Sequence, residues 1–112
     1  MAVYVNNLVI NSGATFDQTF TLEDSETNSP LDLTGSIVSS QMRKHANSSS
    51  YINFVATIID AINGKIQIGL NSNVTNSIKP GRYLYDIIVT DNENIVTRVV
   101  EGMVLVREGV TK

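Results

Sequence analysis

Short apolar runs with a period of two, separated by turn-forming residues, constrain the fold of this chain more than any other feature of its sequence. Residues 15–22 place two phenylalanines and a leucine on one face of an extended segment, with threonines and an aspartate on the other. Residues 65–70 alternate isoleucine or leucine with polar or small residues in the same way. Such alternation is typical of a β-strand with one buried face, so the sequence predicts an all-β protein.

Runs of this kind follow one another along the chain, and most of the connections between them are short. They span residues 3–10, 15–22, 36–43, 52–60, 65–70, 82–90 and 95–107. Short connections favour hairpins and Greek keys, which predicts an antiparallel β-sandwich of about seven strands. A length of 112 residues suits a single domain, 1–112, in which residues 108–112 form a tail.

Signals for turns and for one helical turn lie between these runs. An Asn-Gly dipeptide at 63–64 suits the positive φ of a hairpin turn, and Gly102 predicts a bend or bulge within the last strand. The four-residue spacing of Val74 and Ile78 predicts one short helical turn near Ser72–Ile78. Asn71 or Ser72 is suited to cap that turn at its N-terminus.

The segment "GRYLYD", Gly81–Asp86, follows the predicted helical turn and opens a strand. In immunoglobulin-like sandwiches, a tyrosine near the start of strand F hydrogen-bonds to backbone upstream and fixes the corner. Tyr83 stands at that position, and Tyr85, two residues on, points into the core by alternation. The order of elements therefore predicts an immunoglobulin-like sandwich in which Tyr83 and Tyr85 are structural.

Asp86 is placed by the same alternation on the outer face of its strand, between Leu84 and Ile88. A carboxylate in the middle of a strand is expected to meet a cation on a neighbouring strand. Arg43 and Arg98 are the two candidates, since both fall within predicted strands. A catalytic or metal-binding role is the alternative, but no matching histidine, cysteine or paired carboxylate accompanies it in the sequence.

Composition excludes several classes of site and partner. The chain has no cysteine, which rules out disulfides and thiolate metal sites. Its net charge of −3 argues against nucleic acid or an anionic membrane as partner. No apolar segment is long enough to span a bilayer. The first residues, "MAVYVNNLVI", lack the basic region and the uninterrupted apolar region of a signal peptide.

Few residues offer chemistry. His45 is the only histidine and could act as a general base, but no Gly-x-Ser-x-Gly motif supports a hydrolase. The acidic segments Asp24–Glu26 and Asp91–Asn94 offer oxygen ligands for calcium, although neither matches an EF-hand loop. Tyr4 and Tyr51 are the tyrosines outside the "GRYLYD" segment, which leaves carbohydrate binding open. The sequence predicts a non-enzymatic protein without a cofactor.

The last predicted strand is apolar on both of its faces. A sheet in a two-layer sandwich usually leaves one face in water, so an excess of outward apolar residues indicates a face covered by a partner or by another copy. A strand that twists between two local cores is the alternative. The predicted interface consists of Leu84, Ile88, Val96, Val100, Val104 and Val106.

Short motifs spread over nearly the whole chain resemble those of a known family. They are "DLTG" at Asp32–Gly35, a strand ending in Arg43, G-x-I-x-I-x-L at Gly64–Leu70, G-x-Y-x-Y-D at Gly81–Asp86, and G-x-V-x-V-x-x-x-V-T at Gly102–Thr111. On these motifs the chain resembles the immunoglobulin-like domain of tailed-phage virion proteins. That group includes the N-terminal domain of siphophage upper baseplate proteins and small structural proteins of marine and cyanobacterial phages.

The resemblance implies a function that the residues alone do not indicate. It implies a non-enzymatic structural protein of the virion, in the tail, baseplate or neck, which is assembled in the host cytoplasm. The expected partners are other virion proteins, and the protein is expected to form a homo-oligomer on the particle, with no contact to nucleic acid or membrane. The alternative is a carbohydrate- or host-surface-binding β-sandwich.

Overall fold

The computed structural model describes residues 4–24 and 29–110, in which nine strands form two sheets and one short helix connects them. The strands are β1 (Tyr4–Val5), β2 (Leu8–Asn11), β3 (Phe16–Thr21), β4 (Ile37–Arg43), β5 (Ile52–Asn53), β6 (Val55–Asp60), β7 (Lys65–Leu70), β8 (Gly81–Thr90) and β9 (Val96–Arg107). The helix α1 spans Ser72–Ser77. Buried side chains from both sheets form one hydrophobic core, so the predicted all-β sandwich is confirmed.

The order of strands within the two sheets is that of the immunoglobulin fold. The larger sheet has the order β1-β9-β8-β4-β5, with β2 also paired to β9, and the smaller sheet has the order β3-β7-β6. If β3 is taken as strand B, the smaller sheet reads B-E-D and the centre of the larger sheet reads C-F-G. The long strands β8 and β9 therefore lie at the middle of the larger sheet.

The N-terminal part of the chain departs from the predicted antiparallel strand at 3–10. Two short strands, β1 and β2, both run parallel to β9, so the larger sheet is mixed. Asn6 and Asn7 interrupt them: the Asn6 amide donates to Glu101 O at 3.0 Å, while the Asn7 side-chain oxygen accepts from the Met103 amide. Gly102 leaves room for this approach, since a Cβ there would collide with Asn6 O. Residue 3 lies outside the described residues.

The predicted strand at 52–60 is likewise two strands, because the chain passes from one sheet to the other at Phe54. β5 pairs with β4 in the larger sheet, and β6 pairs with β7 in the smaller one. Phe54 is buried, and its amide donates to Ser40 O at 3.0 Å. The core side chain and the backbone bond together fix the crossing point. These two interruptions account for nine strands where about seven were predicted.

The helical turn and the tyrosine corner form as the sequence predicts. Asn71 caps α1, since its side-chain oxygen accepts from the Val74 amide at 2.9 Å. The Tyr83 hydroxyl donates to Lys79 O at 2.6 Å and so ties the start of β8 to the segment that leads into it. Within residues 4–24 and 29–110, no helix is long and apolar enough to cross a membrane.

A β-bulge interrupts the pairing of β8 with β9 near the middle of both strands. Ile87 pairs with Val100, but Ile88, the next residue, pairs with Arg98. Val99 is therefore an extra residue on β9, and Val99 and Val100 are both fully buried. Beyond the bulge, the side chains that simple alternation places on the outer face of β9 point into the core, and those that it places in the core point outward.

This exchange overturns part of the predicted interface. Val100, Val104 and Val106 lie after the bulge and are almost wholly buried, so their predicted exposure is wrong. Val96 lies before the bulge and is exposed. The exposed apolar face of β9 after the bulge therefore consists of Met103 and Leu105.

The turn between β6 and β7 depends on Gly64, as the Asn-Gly dipeptide predicts. Gly64 has a φ of +68°, whereas Asn63 has a negative φ. A Cβ at position 64 would lie 2.5 Å from Leu22 O and 2.8 Å from Leu31 O. The turn therefore needs glycine both for its backbone conformation and for the close passage of the segment that follows β3.

Candidate functional site: the outer face of the larger sheet

The outer face of the larger sheet presents Asp86 near its centre. β8 lies between β4 and β9, and Asp86 pairs with Gln41 on the first and with Glu101 on the second. Its chain neighbours Tyr85 and Ile87 are buried in the core. The alternation predicted for β8 therefore holds, and it directs the Asp86 carboxylate away from the core.

Arg98 joins two carboxylates on this face. Its Nε lies 3.3 Å from Asp86 Oδ2, and its Nη1 lies 3.7 Å from Glu101 Oε2. The side chains of Arg98, Asp86 and Glu101 are 55%, 40% and 46% exposed. At such exposure water screens the attraction, and an ion pair contributes only about 0–1 kcal/mol. We call these three residues the charged cluster. Their weak mutual attraction leaves them able to contact a partner.

Arg43, the other candidate partner of Asp86, makes different contacts. Its guanidinium donates to Ser48 O at 2.5 Å and to the Gln41 side-chain oxygen at 2.9 Å. The same group lies 4.6 Å from the centroid of the Tyr51 ring. Arg43 therefore holds the loop between β4 and β5 in place, and Arg98 is the arginine that pairs with Asp86.

Exposed apolar side chains lie beside the charged cluster on the same face. Leu84 pairs with Met103 across β8 and β9, and Val9 pairs with Leu105 across β2 and β9. Together with Val5 on β1, these side chains are between 39% and 75% exposed. We call these five residues the apolar patch. Of the two β8 residues predicted at the interface, Leu84 belongs to this patch, whereas Ile88 is half-buried on the other side of Asp86.

Three residues of the apolar patch and the whole charged cluster line one shallow groove of about 810 Å³. Apolar residues form one part of its wall, and the arginine and the two carboxylates form another. The lining residues include Val5, Leu84, Met103, Asp86, Arg98 and Glu101. The groove can therefore bury apolar atoms and make charged hydrogen bonds with the same partner.

Tyr85 supports this face from below. Its ring is buried and meets Phe54 edge-on, with the ring centroids 6.2 Å apart. Its hydroxyl donates to Asn6 O at 2.5 Å and so joins β8 to the segment between β1 and β2. Burial disfavours the ionised phenolate and raises the pKa of Tyr85 to about 12. The tyrosine therefore stays neutral and keeps its donor at physiological pH.

The other predicted chemical sites are dispersed. His45 is exposed in the loop after β4, where its backbone amide donates to the Ser48 hydroxyl. The Asp91 carboxylate accepts from the amides of Glu93 and Ile95 within its own turn. Of the acidic segment Asp24–Glu26, only its first residue lies within the described residues. Within the described part of the chain, no three histidine, cysteine or acidic side chains are grouped to hold a metal ion.

Sequence reasoning misses four of the five residues of the apolar patch. Alternation assigns Met103 and Leu105 to the core face, because it does not foresee the bulge at Val99. The sequence places Val5 and Val9 in a first strand, but no local pattern shows that this strand lies beside β9. The glycine at 102 is a signal for irregular pairing, but it does not specify where the extra residue lies.

Among known proteins, this chain is similar to parts of solved structures, whereas no family model and no curated protein matches it. Solved structures similar to this chain include an internalin-like protein of Listeria monocytogenes, at 13% identity and a TM-score of 0.46. They also include a family 123 glycoside hydrolase from Clostridium perfringens, at 13% identity and a TM-score of 0.45.

Both similarities extend over nearly all of this chain and a small part of the other protein. The matches cover 96% and 100% of this chain, but only 28% of the internalin-like protein and 24% of the glycoside hydrolase. This chain thus spans about a quarter of the length of either. At these scores and identities the likeness carries no information about function.

Proposed function

We propose that this protein is a non-enzymatic structural component of a tailed-phage virion and that it binds another protein through the outer face of its larger sheet. The observation that carries the proposal is the apolar patch, five exposed side chains in register on neighbouring strands. A contiguous apolar surface bordered by charged groups is characteristic of a protein–protein interface. The resemblance of the sequence motifs to tailed-phage proteins supplies the setting.

The chemistry of this face favours a protein over other partners. The charged cluster holds two carboxylates and one arginine, so it is unsuited to the phosphates of nucleic acid or of an anionic membrane. The apolar patch is aliphatic apart from the thioether of Met103, and aliphatic and methionine side chains suit packing against apolar side chains of a partner. In the proposed setting those partners are other virion proteins of the tail, baseplate or neck, met during assembly in the host cytoplasm.

Incorporation into particles tests the proposal. Wild-type protein and the variants Leu84→Glu and Leu105→Glu would be supplied in trans to a tailed phage whose own copy is deleted, and purified virions would be assayed for the protein. Both variants place a carboxylate in the apolar patch, where burial of a charge in an interface costs several kcal/mol. We expect wild type in the particles and both variants depleted at least about tenfold, since 1.4 kcal/mol already corresponds to that factor.

Val55→Glu is the matched control, because Val55 is exposed on the smaller sheet, away from the apolar patch. It should enter particles as wild type does, and all variants should show unchanged circular dichroism and thermal midpoints. Absence of the wild-type protein from purified virions would reject the virion role. Equal incorporation of all variants would reject the outer face of the larger sheet as the contact surface.

A further inference from the structure

The charges of this protein are separated along its longest dimension. The molecule measures 45 Å by 27 Å by 21 Å, and β9 alone, with 12 residues, extends over about 40 Å. β8 runs from Gly81, beside Val106, to Thr90, beside Val96. The two ends of these strands therefore define two ends of the molecule, which differ in charge.

One end, at the start of β8, is rich in cations, and we call it the basic end. The described residues at this end include two acids, Asp17 and Glu108. Its basic residues are Arg43, Lys44, Lys79, Arg82 and Arg107.

A groove of about 470 Å³ opens at the basic end. Arg43 lies over the ring of Tyr51, and Lys44 Nζ lies 5.0 Å from the centroid of the Tyr83 ring. Lys79 also lines the groove, and none of its described lining residues is acidic. Two tyrosine rings, together with buried Met42 and Ile78, give the floor an apolar character. The groove can therefore receive apolar side chains that are accompanied by carboxylates.

The opposite end has the complementary character, and we call it the acidic end. It contains the turn after β8, the turn between β6 and β7, and the segment before β4. The Leu33 amide donates to Ala61 O at 2.8 Å, and Gly35 lies against Asn92, which places these three segments together. Among the described residues, Lys65 is the basic residue at this end. The acids there are Asp32, Asp60, Asp91 and Glu93.

The acidic end also carries exposed apolar side chains at its tip. Ile62 lies in the turn between β6 and β7, and Ile95 lies in the turn before β9. Ile37 and Val96, at the starts of β4 and β9, are exposed as well. Isolated exposed aliphatic residues are ordinary on protein surfaces, but here they are grouped and surrounded by carboxylates. The tip thus presents apolar side chains together with carboxylates, which are the groups that the groove at the basic end is suited to bind.

We propose that the acidic end of one copy docks into the groove at the basic end of a second copy, so that the protein associates head to tail. This inference rests on the proposed function as an assembly protein and names a second copy of the chain as one partner, but it uses surfaces other than the apolar patch. A contact between two different surfaces of the same molecule is heterologous, and repetition of it produces a ring or a filament. The ends lie much farther apart than the Debye length of about 8 Å, so each acts independently.

Salt-dependent self-association is the first test. Sedimentation velocity of the full chain at about 20 mM NaCl should show a mass average that rises with concentration. At about 500 mM NaCl the association constant should fall at least tenfold, because the screening length then drops to about 4 Å. A chain that stays monomeric at about 1 mM and low salt, where even weak contacts are populated, would overturn the proposal.

Mixing two variants tests the head-to-tail geometry itself. Lys44→Glu/Lys79→Glu alters only the basic end, and Asp91→Asn/Glu93→Lys alters only the acidic end. In the second variant the side-chain amide oxygen that replaces the Asp91 carboxylate still accepts from the turn amides. Each variant alone should be monomeric under the conditions in which wild type associates. An equimolar mixture should form heterodimers, because each variant retains the end that the other lacks. A mixture that remains monomeric, with both variants folded, would overturn the proposal.

Val5→Glu is the control that separates this inference from the proposed function. Val5 belongs to the apolar patch and pairs with Glu101, away from both ends, so the variant should leave self-association unchanged. Self-association abolished by Val5→Glu but unaffected by the variants at the ends would overturn the head-to-tail contact and place a second copy on the outer face instead, in agreement with the proposed function.

Discussion

Tyr85 shows how much of this structure depends on a single side chain. Its ring fills the core against Phe54, and its hydroxyl holds the backbone at Asn6, 79 residues away in the sequence. The sequence motif is enough to place Tyr83 and Tyr85, because Tyr83 bonds to the backbone four residues upstream and alternation directs the Tyr85 ring into the core. It does not show that Tyr85 reaches Asn6 or that Asp86 pairs with Arg98 rather than Arg43. Those pairings depend on the register of strands that are distant in the sequence.

Tyr85→Phe should lower the free energy of unfolding at pH 7 by about 1 kcal/mol, the usual value of one neutral hydrogen bond. Urea unfolding followed by circular dichroism measures this. Unchanged stability would show that the bond to Asn6 O contributes nothing net.

The same variant makes a prediction about alkaline pH. Burial raises the pKa of folded Tyr85 to about 12, above the value of about 10 for an unfolded tyrosine. Between these values the unfolded chain releases the proton and the folded chain does not, so the contribution of Tyr85 is complete below pH 10 and is lost as pH rises towards 12. The stability difference between wild type and Tyr85→Phe should therefore shrink across this window. A constant difference from pH 9 to pH 12 would contradict a raised pKa.

Asp86→Ala should have little effect on stability. The carboxylate and its arginine are both well exposed, and exposed ion pairs contribute about 0–1 kcal/mol. We expect a thermal midpoint within a few degrees of wild type, measured by calorimetry, with Asp86→Asn as the isosteric control. A loss well above 1 kcal/mol would mean that the pair is buried. Unchanged stability together with reduced incorporation into virions would place Asp86 in the partner interface.

At the level of strands and turns, the sequence predicts the positions of strands better than the points at which they are interrupted. The period of two locates β3, β7 and β8 to within a residue or two, because each contributes one face to the core. It does not reveal the crossing at Phe54, since β5 and β6 form one continuous run in the sequence. It also misses the bulge at Val99, because a bulge is a property of the pairing between two strands and not of one strand alone. That single extra residue decides which side chains of β9 form the candidate site.

Gly64→Ala tests the most constrained turn. The added Cβ would meet two backbone oxygens at 2.5 Å and 2.8 Å, and the positive φ adds its own cost. We expect a loss of about 3 kcal/mol or more in the free energy of unfolding, as for other overpacked sites.

Gly13→Ala is the control, because Gly13 has a similar φ of +82° but its nearest neighbour is a side-chain atom at 3.6 Å. It should cost about 1 kcal/mol, the penalty for a left-handed backbone alone. Equal losses in the two variants, measured by urea unfolding, would show that backbone conformation rather than crowding makes Gly64 necessary.

At the scale of the whole molecule, the surface is divided into regions of different chemical character. The outer face of the larger sheet is apolar with a charged border, whereas the two ends of the sandwich carry opposite charge. Net charge alone could not reveal this arrangement, because the opposite charges of the two ends cancel in the total of −3. The separation arises because the fold brings the turns at 32–35, 61–64 and 91–94 to one end. Sequence distance conceals that grouping.

The parallel pairing of β1 and β2 with β9 has a consequence for synthesis. The ribosome makes β1 and β2 first and β9 last among the strands of this sandwich. Roughly 100 residues must be added before β1 meets its partner, which takes about 5–20 s at ordinary translation rates. Until then β1 and β2 lack the strand with which they pair, and Leu8 and Ile10, which are buried in the folded protein, lack that cover. The larger sheet therefore closes only once β9 has emerged.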